Sequence, residues 1–228
     1  MRKKGFIFVV LATVLIITVI ITGVFIKRQQ GKSPVSTVKE ARKAYNYNVL
    51  PEMAGLLANQ NELAVSDISL LASQPDKFML VHKEWFAGMD WDDSDGFNKY
   101  PDESMLNTFA YWLAGYEATD NAADNPKYKF GAYIDWKEET EDIILQLAEA
   151  AKNLGYSLAP EQIVFNGDEA TDEALSKISD HFSAEGYVLL SLDTDSDSYH
   201  LFIIRGKDYN RLMQLAAQFG FGFIGEFI

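Results

Sequence analysis

Gly5 to Ile26 form an uninterrupted run of 22 residues without a charged side chain, and no other feature constrains the fold as strongly. At a helical rise of about 1.5 Å per residue, the run reaches roughly 33 Å, which matches a bilayer core about 30 Å thick. Lipid offers the backbone no hydrogen-bond partner, so a run this apolar has to be helical there. The sequence therefore predicts a single transmembrane helix over residues 5–26.

Basic residues flank the predicted span on both sides. Residues 1–4 form a basic tail and residues 27–43 a basic juxtamembrane linker. Such side chains favour anionic lipid headgroups by about 1 kcal/mol each near the surface, which makes the bilayer the first predicted partner. Those closest to the predicted span are Lys3, Lys4, Lys27 and Arg28.

A retained anchor competes with two other interpretations, a cleaved secretory signal and a buried soluble helix. A secretory signal has an apolar run of about 7–15 residues that ends in small residues. This run is longer and ends in Val24, Phe25 and Ile26, so the anchor is favoured. The six basic residues of the linker, against three in the tail, favour a cytoplasmic C-terminal side. A short basic tail before a first apolar segment favours the opposite orientation, with the tail in the cytoplasm and the C-terminal side exported. We give this second argument more weight and expect a single-pass cell-membrane protein whose C-terminal domain lies outside the cytoplasm.

Residues 44–228 are predicted to form one acidic globular domain. Residues 1–43 have nine Lys or Arg and one Glu, a net charge of +8. Because the net charge of the whole chain is −13, residues 44–228 carry a net charge of −21. A domain this acidic repels nucleic acid and is complementary to a basic protein or a metal cation, unless its acidity serves only solubility. The chain contains no cysteine, which excludes disulfides and thiol nucleophiles.

The pattern of apolar residues predicts an α+β fold, with helices packed on a mostly antiparallel sheet. A helical pattern over residues 35–73 is broken at Pro51 and around Asn59–Asn61. Tyr187–Leu192 and Tyr199–Arg205 read as two strands of a hairpin. The other predicted helices are residues 103–116, a helix that begins after Trp136 and ends at Gly155, Ala170–Glu185, and Asp208–Phe219. The other predicted strands are Lys129–Trp136, Ile163–Phe165 and Phe221–Ile228.

The predicted hairpin connection holds the densest polar cluster of the chain. Three carboxylates at alternate positions precede an aromatic residue and a histidine, a set that suits a divalent cation, a ligand or partner contact, or simply a turn. An EF-hand loop is excluded because Ser198 and Ile204 occupy the positions that need Gly and Glu. The candidate contact residues are Asp193, Asp195, Asp197, Tyr199 and His200.

Motifs of known enzyme classes are missing from the sequence, so neither a catalytic residue nor a cofactor is predicted. No G-x-S-x-G, H-E-x-x-H or phosphate-binding loop occurs. Residues 220–225 spell G-x-G-x-x-G, but a dinucleotide site needs this motif between a strand and a helix. Here the motif follows a predicted helix near the end of the chain, which argues against a dinucleotide site.

Two segments carry a resemblance to a known family, the stretch from Ile134 to Ile143 (IDWKEETEDI) and the stretch from Leu192 to Phe202. On these residues the chain resembles the domain of unknown function 6630 family, a group of uncharacterised bacterial proteins. The resemblance covers roughly 140 residues from about Trp85 onward and leaves out the anchor and the segment up to about Ser73. It implies a compact α+β domain and transfers no activity and no catalytic residue.

The hypothesis that best fits the sequence is a non-enzymatic, membrane-tethered binding or interaction domain. An immunity-type protein that neutralises a basic toxin is one specific form of this hypothesis, based on charge. The first alternative is a metal-dependent enzyme that uses the cluster from Asp193 to His200. The second alternative is a structural component of the cell envelope.

Overall fold

The structure is a computed structural model that describes six stretches of the chain, residues 45–89, 101–118, 125–166, 169–193, 198–220 and 222–224. The chain divides into two compact units, Met1–Lys43 and Ala44–Ile228, and every described residue belongs to the second. The predicted membrane span, its basic tail and its linker lie outside the described residues. Within the described residues, no helix combines the length and the apolar character needed to cross a bilayer.

Eight α-helices and four β-strands form the described part of the second unit. The helices are α1 (Leu50–Leu57), α2 (Glu62–Ser73), α3 (Pro75–Val81), α4 (Lys83–Gly88), α5 (Pro101–Ala114), α6 (Thr140–Asn153), α7 (Thr171–Ala184) and α8 (Tyr209–Phe219). The strands are β1 (Gly131–Asp135), β2 (Tyr187–Leu192), β3 (Ser198–Arg205) and β4 (Phe223–Ile224). Short 3-10 helices occur at Tyr47–Val49, Pro160–Gln162 and Gly206–Asp208.

The first two helices follow from local sequence chemistry. Pro51 lies in the first turn of α1, where a missing N–H costs nothing, so it opens a helix instead of breaking one. Asn59 and Gln60 adopt positive φ values of 47° and 64° between the helices, which confirms the predicted break. The side chain of Asn61 then caps α2 by accepting a hydrogen bond of 3.1 Å from the backbone N–H of Ala64.

The four strands form one antiparallel sheet in the order β1-β3-β2-β4. The hairpin of β2 and β3 is confirmed, and so is the α+β class with helices on an antiparallel sheet. Residues 194–197, which connect the two hairpin strands, lie outside the described residues. The predicted last strand is represented by β4 alone, because Phe221 and residues 225–228 are not described either.

Helices cover both faces of this sheet, so most residues of its two central strands are buried. On β3 the residues from His200 to Ile204 are all buried. Tyr133 and His200 face α5, where their rings meet the ring of Tyr111. Strand neighbours point to opposite faces, so Tyr199 lies on the other face, beside the first residues of α6 and α7.

The predicted strand at Ile163–Phe165 is wrong. These residues follow the 3-10 helix at Pro160–Gln162 in an irregular segment that joins no sheet. Their alternation reflects two side chains, Ile163 and Phe165, that pack against the core from a loop. A pattern of period two therefore arose from packing without a neighbouring strand.

A single hydrophobic core joins the first four helices to the sheet. Leu50, Met53 and Ile68 of α1 and α2 are fully buried in the same cluster as Phe202 and Ile203 of β3. The segment before Trp85 is thus part of the same domain and not an addition to it.

Candidate functional site

The five candidate residues of the hairpin do not converge on one site among the described residues. Asp193 is exposed at the end of β2, where its N–H donates a hydrogen bond of 3.2 Å to the carbonyl of Gly222. Asp195 and Asp197 lie outside the described residues. Tyr199 and His200 point to opposite faces of the sheet because they are neighbours on one strand. Among the described residues, which exclude two of the three hairpin carboxylates, no group of three His, Asp or Glu has the arrangement of a metal site.

His200 belongs to the core. Its side chain is 0% exposed, and its ring lies 4.6 Å from that of Tyr111 and 5.3 Å from that of Tyr133. Neither ring nitrogen has a hydrogen-bond partner among the described residues. Burial lowers the pKa of the imidazole to about 4, so the ring is neutral at physiological pH. The imidazole is enclosed by aromatic side chains and is not presented to a ligand at the hairpin.

A broad concavity lies on the face of the sheet opposite His200. It is a cleft of about 800 Å³ at the end of β1, between the first turns of α6 and α7, and we call it the Trp136 cleft. Its lining residues are Trp136, Lys137, Glu138, Glu139, Thr140, Glu141, Glu169, Ala170, Thr171, Asp172 and Tyr199.

A tight turn holds Trp136 at the rim of this cleft. The side chain of Asp135 accepts a hydrogen bond of 2.9 Å from the backbone N–H of Lys137. The backbone carbonyl of Asp135 accepts a hydrogen bond of 3.0 Å from the N–H of Glu138. The hydroxyl of Thr171 donates to the carbonyl of Trp136 at 2.7 Å, which fastens the turn to the start of α7. These bonds hold the backbone that carries the indole, while the residue itself is 54% exposed.

The charge of the Trp136 cleft is predominantly negative, with five carboxylates against the single ammonium of Lys137. Neither α6 nor α7 has a side-chain cap, so the carboxylates of Glu141 and Asp172 also complement the helix dipoles in the first turns. The negative charge of Glu169 is already neutralised, because the ammonium of Lys177 lies 2.5 Å from its carboxylate. The side chain of Glu169 is also only 4% exposed. The remaining carboxylates stand beside an exposed aromatic ring, an environment that attracts cations.

Lys137 shows how this ring receives a cation. Its ammonium nitrogen lies 4.3 Å from the centroid of the Trp136 ring, within the range of a cation–π interaction. The face of the indole is thus already used by a positive charge that belongs to the chain itself.

A second concavity, of about 350 Å³, adjoins the cleft, and we call it the edge groove. Glu138 lines both concavities. Lys129 lies in the groove with its ammonium 3.2 Å from Glu117 and 3.6 Å from Glu149. Burial opposes the charge of Lys129, but the two carboxylates outweigh it and raise its pKa. The lining residues are Ala114, Gly115, Tyr116, Glu117, Lys129, Gly131, Tyr133, Glu138, Gln146 and Glu149.

Sequence reasoning overlooked the Trp136 cleft because its parts are far apart in the chain. The acidic run after Trp136 had a sufficient explanation in the helix dipole, and Thr171 lies 35 residues further on. One signal was available in the sequence. A tryptophan at the end of a strand, followed directly by a lysine and several carboxylates, is typical of an exposed aromatic surface more than of a core position.

In a comparison with known protein families, residues 50–227 match a family described as a domain of unknown function (DUF6630). No curated protein and no solved structure matches the chain. The match confirms the resemblance and extends about 35 residues further towards the N-terminus than Trp85. The physical reason is the shared core, in which α1 and α2 pack with the sheet.

Proposed function

This chain belongs to the domain of unknown function 6630 family, and we propose that its domain is a non-enzymatic module that binds a basic partner protein. The description of the family names no activity, so the proposal rests on the surface of the domain. The binding surface is the Trp136 cleft, and the partner contributes a lysine or arginine side chain to it.

The observation that carries this proposal is the position of the Lys137 ammonium, 4.3 Å from the centre of a half-exposed indole at the rim of an acidic cleft. A ring that holds the chain's own cation has the electrostatics to hold a partner's cation. Lys137 is on a surface turn, so its side chain can leave the ring without any change in the core.

The energies expected from this surface are modest per contact and add up over several contacts. A cation on an exposed aromatic ring contributes about 0.5–1 kcal/mol. The surrounding carboxylates contribute mainly to the association rate and to the choice of a basic over an acidic partner. Because these charges are exposed, binding weakens as salt is added.

The membrane anchor and the immunity-type role belong to the same proposal. The uncharged run from Gly5 to Ile26 supports a single-pass anchor that holds the acidic domain at a cell-membrane surface, with the domain outside the cytoplasm. A basic toxin that must cross this surface is a partner of the required charge. The neutralising protein then needs no catalytic residue, only a cleft that occupies the toxin's basic groups.

The test uses the full-length protein in a non-ionic detergent and measures binding of an arginine-rich peptide by calorimetry. The variant Glu139→Lys/Asp172→Lys reverses two charges of the cleft. Asp180→Lys/Glu185→Lys is the matched control, because it reverses two exposed charges towards the opposite end of α7. We expect the cleft variant to weaken binding by about tenfold or more, a loss of about 1.4 kcal/mol, and the control to change it little. Equal weakening by both variants would show attraction to net charge alone and would overturn the proposed site.

A further inference from the structure

β1 is the strand at one edge of the described sheet. In the described part of the chain, β1 pairs with β3 on one side and with no strand on the other. In an antiparallel pair, alternate residues direct their N–H and C=O groups away from the partner strand. The registers of the four strands direct the backbone groups of Ala132 and Ile134 to β3 and those of Tyr133 to the outer edge. Among the described residues, no backbone hydrogen bond outside the sheet reaches Tyr133. On this edge, the backbone of the partly exposed Tyr133 offers a donor and an acceptor that a further strand can use.

The edge groove runs along this outer edge. One wall comes from the end of α5 and the residues after it, Gly115 and Glu117, and the other wall comes from Gln146 and Glu149 of α6. These two helices cover opposite faces of the sheet. A groove bounded by both covering layers and by β1 itself lies at the border between the layers, where the edge of the sheet is open.

From this placement we infer that the basic partner binds as an added β-strand on the outer edge of β1, in the edge groove. The inference rests on the proposed function and names the binding mode of the same partner. Addition of a strand provides affinity through main-chain hydrogen bonds, while side-chain contacts provide specificity.

The charge of the groove identifies the occupant as an extended basic segment. Three carboxylates, those of Glu117, Glu138 and Glu149, line the groove with one ammonium, and that ammonium is bridged to two of them. A second copy of this chain would bring the same negative charges into the groove and is disfavoured by repulsion. A segment with lysine or arginine at alternate positions meets the carboxylates while its backbone pairs with β1.

The edge groove and the Trp136 cleft form one continuous surface. They share Glu138, and β1 ends at Asp135, one residue before Trp136. A strand rises about 3.3 Å per residue, so a segment paired along β1 continues within one or two residues to the indole. One extended segment thereby reaches both the edge of the sheet and the cation-binding ring.

The test compares two peptides on the full-length protein in a non-ionic detergent. The first alternates lysine and valine, and the second has the same sequence but carries N-methyl groups on the amides of every other residue, which removes the donors on one edge at the same charge. We expect the methylated peptide to bind about tenfold more weakly, and we expect the first peptide alone to slow hydrogen exchange of the β1 amides. These two results together would support strand addition.

Two other results distinguish a failure of strand addition from a failure of the proposed binding of a basic partner. Equal binding of both peptides, abolished by Glu139→Lys/Asp172→Lys but not by Asp180→Lys/Glu185→Lys, would overturn strand addition and leave the basic-partner proposal standing. No binding of either peptide, even at low salt, would overturn the proposed function and the inference with it.

Discussion

Replacement of His200 by leucine should remove a large part of the pH dependence of this domain's stability. The imidazole is 0% exposed, makes no hydrogen bond to a described residue and is packed against Tyr111 and Tyr133. Burial lowers its pKa from 6.5 to about 4. The unfolded chain therefore takes up a proton at mildly acidic pH that the folded domain refuses, and the stability of the fold decreases as pH falls from 6.5 to 4.

The size of the effect follows from these two pKa values. Between a pH of about 7.5 and a pH of about 5, the linkage relation gives a loss of roughly 2 kcal/mol from His200 alone. In His200→Leu this loss is absent, and at neutral pH the variant no longer buries two unsatisfied ring nitrogens. Removing a buried polar group of that kind is worth about 1 kcal/mol or more, so we expect the variant to be at least as stable as the natural protein.

Urea unfolding of the full-length protein in a non-ionic detergent, followed by tryptophan fluorescence at both pH values, measures this effect. Carboxylates also titrate near pH 5, so the quantity to compare is the difference between the variant and the natural protein. The control Ile203→Leu changes a buried side chain of β3 that does not titrate, and should leave the pH dependence as it is. If His200→Leu keeps the full pH dependence, or unfolds at neutral pH, the described environment of His200 is incorrect.

Two further predictions concern packing of the domain. Asp67→Ala removes the acceptor of hydrogen bonds from the Trp112 indole at 3.1 Å and the Tyr128 hydroxyl at 2.9 Å, and should destabilise the fold by about 1–3 kcal/mol in urea unfolding. Gly131→Ala adds a methyl group that would lie 2.5 Å from a backbone carbonyl of β3, and should lower the free energy of unfolding by about 1–3 kcal/mol. The control Gly222→Ala, where nothing lies within 4 Å, should change it by much less, and equal effects would contradict the β1–β3 contact.

The main elements could be predicted from the sequence because local patterns determine them. The nearly continuous apolar runs of β2 and β3, with a short polar connection between them, indicated the hairpin. The apolar stripe of α6, from Ile143 to Leu147, and the glycine after its last turn indicated a helix with a defined end. Signals of this kind require only near neighbours in the chain.

The candidate site could not be predicted because it depends on which faces of the sheet meet which helices. His200 and Tyr199 are adjacent in sequence, so reasoning along the chain placed both beside the hairpin carboxylates. The alternation of a strand separates them, one into the core under Tyr111 and the other onto the Trp136 cleft. The cleft itself brings Trp136 to Thr171, a contact that no pattern in the sequence indicates.

The indole resonances of the full-length protein, labelled with ¹⁵N at its tryptophans, test the central claim most directly. The chain has four tryptophans, of which Trp136 is half-exposed while Trp85 and Trp112 are buried. During titration with an arginine-rich peptide, the resonance assigned through Trp136→Leu should shift at low salt and return as salt is added, while those of Trp85 and Trp112 stay in place. A peptide that binds without moving the Trp136 resonance would contradict a cation-binding cleft at this ring.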